Sequence, residues 1–148
     1  MIIALDANIL VGLFTDTQIF FALKQYSKKH NVQQTIIPSP AYCEFLSHDS
    51  SERLAYVQQK FKRSVTIQSF DEKAAILTAK LAEKYHANKL DIPKQKVKVD
   101  LQILGTAIAN QAQCILTKDN DFKAYVERLG LSIKIVTVAD LQIELELF

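Results

Sequence analysis

The chain has 148 residues, with three glycines, three prolines and a formal net charge of +2. That is the length of one domain, with too little glycine and proline for a linker or a low-complexity segment. The charge is too small to argue for a nucleic acid by itself. Hydrophobic residues at 49% and charged residues at 23% are ordinary globular composition, and no internal repeat recurs.

Ile2-Ile3-Ala4-Leu5 is a continuous apolar run ending at Asp6, the pattern of a strand buried on both faces. Asp6-Ala7-Asn8 then forms a strand-to-helix turn with two readings. Both polar types are favoured helix caps; alternatively, Asp6 is a metal ligand and Asn8 a supporting or water-holding group. Gln18 to Lys29 is predicted helical, with Ile19, Ala22, Leu23 and Tyr26 inward and Lys24, Lys28 and Lys29 solvated. Gln34 to Ile37 is a second strand. Ser39-Pro40 starts a helix with serine as N-cap and proline as first helical residue. Ala41, Tyr42, Phe45 and Leu46 face inward from it, and Glu44 borders that face. A glutamate there is ordinarily a surface residue, but the first turns of this helix stand over the strand ends. Asp49 to Glu52 reads as a capping box opening a helix to about Arg63. Val65 to Ile67 is a third strand, and Asp71 caps a long helix with Ala75, Leu77, Ala79, Leu81, Ala82 and Tyr85 as its apolar residues.

His86 to Val99 is the one long irregular stretch. Lys94, Lys96 and Lys98 alternate there, so in an extended conformation they share one side. They are candidate RNA contacts tracking a phosphate backbone, or simply a solvated loop. From Asp100 a helical period places Ile103, Leu104 and Ala107 on one face, with a carboxylate at the top of it, where burial is costly without a partner. Cys114-Ile115-Leu116 is a buried strand, and Thr117-Lys118-Asp119-Asn120-Asp121 follows at its C-terminal end. Phe122 to Leu129 is a short helix capped by Asp121 or Asn120, Ser132 to Val136 the last strand, and Val138 to Phe148 a helix with Val138, Leu141, Leu145 and Phe148 in register. Strands alternating with helices predict a single α/β domain over residues 1–148, a three-layer α/β/α sandwich around a parallel sheet of four to five strands.

Four acids fall at corresponding places: Asp6, Glu44, Asp100 and Asp119, with Asp121 a fifth candidate. Packed carboxylates raise one another's pKa unless a cation neutralises them, and hard Mg²⁺ or Mn²⁺ ions prefer oxygen ligands. No histidine lies at a metal-ligand spacing, His48 reading as solvated, which disfavours zinc. Such a site, holding one or two ions, suits phosphodiester hydrolysis: one ion activates a water and another offsets charge on the leaving oxygen. Cys43 and Cys114 read as reduced thiols. With no secretory signal pattern and no apolar run near the roughly 18 residues of a membrane span, a soluble cytoplasmic protein is expected.

Leu5-Asp6-Ala7-Asn8, Glu44 within Tyr-Cys-Glu-Phe-Leu, Asp100 within Asp-Leu-Gln-Ile-Leu-Gly-Thr-Ala and Thr117-Lys-Asp-Asn-Asp-Phe122 together resemble the PIN-domain family, the ribonuclease fold that includes VapC-type toxins. The resemblance covers nearly the whole chain. It implies catalytic and metal-binding acids at Asp6, Glu44, Asp100 and Asp119, with Asp121 contributing to the metal and Asn8 and Thr117 supporting the site. It implies a Mg²⁺- or Mn²⁺-dependent endoribonuclease, with an RNA substrate, an antitoxin partner and homodimerisation as in relatives. The alternatives are a stand-alone RNA-processing nuclease and a non-catalytic RNA-binding or protein-interaction module. A dehalogenase-like phosphatase would want an aspartate where Asn8 stands, and a receiver domain needs a second acid beside Asp6.

Overall fold

The computed structural model describes residues 1–61 and 64–146, with side chains through residue 142. In chain order the elements are β1 (Ile2–Leu5), α1 (Ala7–Thr15), α2 (Thr17–Lys29), β2 (Gln34–Pro38), α3 (Ser39–Leu46), α4 (Ser50–Lys60), β3 (Val65–Gln68), α5 (Glu72–Ala87), α6 (Lys94–Ala109), β4 (Cys114–Thr117), α7 (Asp121–Leu129), β5 (Lys134–Thr137) and α8 (Val138–Glu146). The expected helix end at Arg63 and the inward side chains of Leu145 and Phe148 lie outside the described residues. None of the described helices is long and apolar enough to cross a membrane.

The five strands form one parallel sheet in the order β3-β2-β1-β4-β5. Successive strand residues point to opposite faces, which divides the core in two. Ile3, Leu5, Ile37, Cys114 and Leu116 pack with α1, α2 and Val57 of α4. Ala4, Ile36 and Ile115 face the other way, against α5, α6 and α7. Both faces are covered at the centre of the sheet, so β1 is apolar throughout and every residue of β4 is buried. The chain winds outward from β1 through β2 and β3, then returns past it to β4 and β5. The crevice beyond the C-terminal ends of β1 and β4 is therefore the switch point at which open α/β sheets bind ligands.

Three expectations need correction. The irregular stretch is shorter than the sequence suggested: α6 begins at Lys94, straight after Pro93, and Lys94, Lys96 and Lys98 are helical. The alternating Lys-Val pattern has a strand period, but Val97, Leu101 and Leu104 also share a helical face. That face is buried on the α5 side of the sheet, and tertiary packing settles the conformation. Lys94 and Lys98, a turn apart, line a cleft against α5, while Lys96 is directed elsewhere, so the three do not share a side. Second, Ser39 is already helical and makes no cap; its hydroxyl accepts the Phe70 N–H (2.9 Å) and ties the approach to α5 onto α3. Third, Asp49 takes the cap position of α4 in a left-handed conformation (φ 49°) without a side-chain bond, so no capping box forms. Asp71 does cap α5, accepting from the Ala74 N–H at 2.9 Å.

The buried positions of α5 are Ala74, Thr78, Leu81 and Tyr85, with Ala79 exposed and Leu77 only half-buried. Thr78 meets Gly105 of α6. A Cβ at Gly105 would run into the Thr78 hydroxyl and come within 3.2 Å of its Cα, so the close approach of the two helices requires glycine there. Alanine gains roughly 1 kcal/mol of helix propensity, whereas overpacking costs about 1–3 kcal/mol, here about 2–3 kcal/mol because the Thr78 backbone is itself in the way. G105A should therefore lower the unfolding free energy by about 1–2 kcal/mol in urea titrations. An unchanged or raised midpoint would show that α5 and α6 can separate without loss.

Candidate metal centre

Asp6 directly follows β1 and is the N-cap of α1, as the capping reading of this turn expects. Its Oδ1 accepts the Ala7 N–H at 2.7 Å. Its Oδ2 accepts from the Thr117 hydroxyl at 2.8 Å and the Asn8 amide at 3.2 Å. Asn8 also accepts the Lys118 N–H through Oδ1 (2.9 Å), and Thr117 Oγ1 accepts the Asp119 N–H (3.0 Å). Asn8 and Thr117 thus fasten the end of β1 to the turn after β4 and fix where Asp6 and Asp119 stand.

Asp119 divides its two oxygens. Oδ1 accepts the Asp121 N–H (2.9 Å), which ties down the first residue of α7. Neither Asp121 nor Asn120 caps that helix through its side chain. Oδ2 points into the site. Asp121, one residue into the sequence of α7, points there as well, and Asp100 reaches it from the second turn of α6. One oxygen from each of Asp100, Asp119 and Asp121 lies within 4.8 Å of the other two. Glu44 stands at the exposed rim on α3, near enough that the charges of Asp100 and Asp119 act on its carboxylate. His48 is exposed and past the end of α3.

Two residues that the sequence reading did not assign to the acids complete the site. Lys96 Nζ contacts Oδ2 of Asp100 (2.8 Å), Oδ2 of Asp121 (2.8 Å) and Oδ2 of Asp119. Tyr125 donates its hydroxyl to Asp100 Oδ2 at 2.6 Å. Both signals are present in the sequence: Lys96 lies four residues before Asp100 and Tyr125 four after Asp121, each on the same helical face. Reading Lys96 as extended chain hid the first.

The electrostatics follow from burial and crowding. Burial pushes the Asp6 carboxyl up to about 6, with the Asp100 and Glu44 charges adding to it and the bonds from Thr117 and Ala7 opposing. Asp100 is also raised by burial, against the bonds from Lys96 and Tyr125. Glu44 is raised by burial and by its acidic neighbours. Burial works against the Lys96 charge, but the carboxylates outweigh it and hold the ammonium above the ordinary lysine range. Burial and the Asp100 carboxylate keep Tyr125 protonated. Burial therefore disfavours the charged forms of Asp6, Glu44 and Asp100, and the donor set of the cluster is all oxygen. Asp100, Asp119 and Asp121, with Asp6 adjoining, fit a hard divalent ion.

A parallel sheet with clustered acids at its switch point defines an α/β domain with an acidic site at the strand ends. Residues 3–127 match the PIN domain model, and the chain belongs to the PIN domain family. Among solved structures it resembles VapBC2 from Rickettsia felis bound to a promoter DNA fragment: TM-score 0.70 at 21% identity, covering 93% of this chain and 98% of that one. It also resembles DNA-bound VapBC from Salmonella typhimurium: TM-score 0.65, 20% identity, 93% and 98% coverage. A third is VapC20 of Mycobacterium tuberculosis, a sarcin-ricin loop cleaving toxin: TM-score 0.57, 12% identity, 82% and 93% coverage. At these identities the likeness is one of fold. Among curated proteins, none matches.

Below about pH 4 the Asp6 carboxyl is protonated in folded and unfolded chains alike. Between about 4 and 6 the unfolded chain has released a proton that the folded state keeps. The associated stability is fully present below the unfolded value and is lost as pH rises through about 6, up to about 3 kcal/mol in all. In EDTA, D6N should lack this decline in urea-derived stability between pH 4 and 7. Parallel pH profiles for the two proteins would mean that Asp6 ionises normally.

Proposed function

We propose that this chain is a metal-dependent endoribonuclease, the toxin of a toxin–antitoxin pair. The observation that carries the reading is the convergence of Asp100, Asp119 and Asp121 oxygens within 4.8 Å at the switch point, with Asp6 and Glu44 adjoining. Family membership supports it, and so do structural neighbours described as VapBC, as a toxin–antitoxin complex and as a sarcin-ricin loop cleaving toxin.

In this reading Asp6, Asp100, Asp119 and Asp121 hold one or two Mg²⁺ or Mn²⁺ ions, which when bound supply an activated water and offset charge developing on the phosphate. Asn8 and Thr117 keep Asp6 and Asp119 in place, and Tyr125 orients Asp100 through its hydroxyl. Glu44, at the open rim, is placed to complete the ligand set or to orient the attacking water. Asn8 also argues against aspartyl-phosphate chemistry: the residue two after Asp6 is an amide engaged with Thr117 and Lys118, with no proton to give and take as an acid does. Lys94 and Lys98, which line the cleft between α6 and α5, are the candidate contacts for RNA phosphates. An antitoxin segment that covers the acids would present a cation to them, most effectively an arginine able to take two carboxylate oxygens at once.

D100N and D119N, with unchanged circular dichroism, should cleave a structured RNA in Mn²⁺ more slowly by well over the roughly 10–100-fold cost of losing a group that only orients a ligand. EDTA should abolish cleavage by the parent. Cleavage at the parent rate by both variants would remove these carboxylates from the mechanism.

A further inference from the structure

We propose that Lys96 is a tethered cation occupying the metal position, so that a divalent ion enters only as the lysine withdraws. The inference rests on the metal site proposed above and concerns how that site is loaded. Lys96 Nζ does not merely lie near the acids. It contacts one oxygen of each of Asp100, Asp119 and Asp121, the same three residues whose oxygens form the candidate ion site. An ammonium has three N–H donors, and three carboxylates are there to accept them.

An ion and this ammonium cannot share the position. Mg²⁺ draws its oxygens to about 2.0–2.1 Å and demands near-octahedral order. Its centre would fall within the space the Lys96 nitrogen fills, and two cations that close repel strongly in a partly buried site. At 2.8 Å the contacts with Asp100 and Asp121 are ordinary for an ammonium and longer than a metal's, so loading an ion would draw the oxygens inward.

The helix makes the arrangement reversible. Lys96 lies in the first turn of α6, one turn before Asp100, so the helix holds its stem on the side of the acids. Its side chain is 39% exposed, which leaves it a route into solvent without disturbing the core. The tether keeps the local concentration of ammonium high whatever the ionic composition outside. Lys98, two residues on and about 200° around the helix, lines the cleft against α5 and provides the control for charge alone.

The test is Mn²⁺ binding by isothermal titration calorimetry at constant pH and ionic strength, on the parent, K96M, K98M and D100N, together with thermal melts in EDTA and in saturating Mn²⁺. K96M should bind Mn²⁺ at least tenfold more tightly than the parent, K98M within about twofold, and D100N far more weakly. In EDTA K96M should melt below the parent, because three carboxylates have lost their counter-charge, and Mn²⁺ should raise its melting temperature by more than it raises the parent's. A merely structural lysine would lower both melts alike. K96Q, which retains a polar end without the charge, should repeat the tighter binding if K96M does not fold. Binding by K96M and K96Q no tighter than the parent's overturns the inference and leaves the metal site standing. Equal tightening by K98M overturns it too, reducing the effect to net charge. No Mn²⁺ binding by the parent, K96M or K96Q removes the metal site and this inference together.

Discussion

Crowded negative charge is the constraint on which this structure turns. Asp6, Glu44, Asp100, Asp119 and Asp121 approach one another at the ends of β1 and β4, and two of them are almost wholly buried. Like charges about 4 Å apart repel by roughly 4 kcal/mol at an effective dielectric constant of 20. A few such pairs would exhaust the 5–15 kcal/mol typical of a domain's total stability. The fold meets this with three devices. Hydrogen bonds from Thr117, Asn8 and Ala7 hold Asp6, Tyr125 holds Asp100, and the Lys96 ammonium sits among the three acids that lie closest.

The sheet explains why the acids meet at all. Parallel strands bring every strand-to-helix turn to one edge, and the reversal between β2 and β4 on either side of β1 leaves a crevice between the turns. Asp6 arrives there at the end of β1, Asp119 and Asp121 beyond β4. Asp100 comes from α6, whose other face is buried on the sheet through Ile103, Leu104 and Ala107. The same helix therefore anchors one core and delivers both Lys96 and Asp100 to the site, and its seating depends on the absence of a side chain at Gly105.

PIN domain membership and the acid cluster account for one another: a family built on this sheet can carry an acidic site because the topology gathers residues from four separate stretches of chain. Around it, Lys96 joins Asp100 of α6 to Asp119 and to Asp121 of α7, and Tyr125 of α7 bonds Asp100, so α6 and α7 are cross-linked through the site as well as through the core.

The strands were legible from the sequence because a strand buried on both faces is a short, continuous apolar run, and Ile2 to Leu5 and Cys114 to Leu116 have no competing pattern. Asp6 and Asp119 stood out for the related reason that one directly follows such a run and the other lies in the turn after one. The start of α6 was not legible. Lys94 to Val99 alternates as a strand would, and only the docking of Val97 against α5 makes it helix. With that start misplaced, Lys96 appeared as one rung of a ladder facing solvent. Similarly, Ser39 has the chemistry of a cap, yet its hydroxyl is taken by the Phe70 N–H, a partner far along the chain. Local sequence thus determined the strands, the parallel α/β architecture and the acids at strand ends, since burial and backbone geometry act over a few residues. The tertiary structure alone decided which acids converge, that Tyr125 binds Asp100 and that Lys96 lies among three carboxylates. Those contacts depend on how separate helices pack across the sheet, over distances that no local pattern encodes.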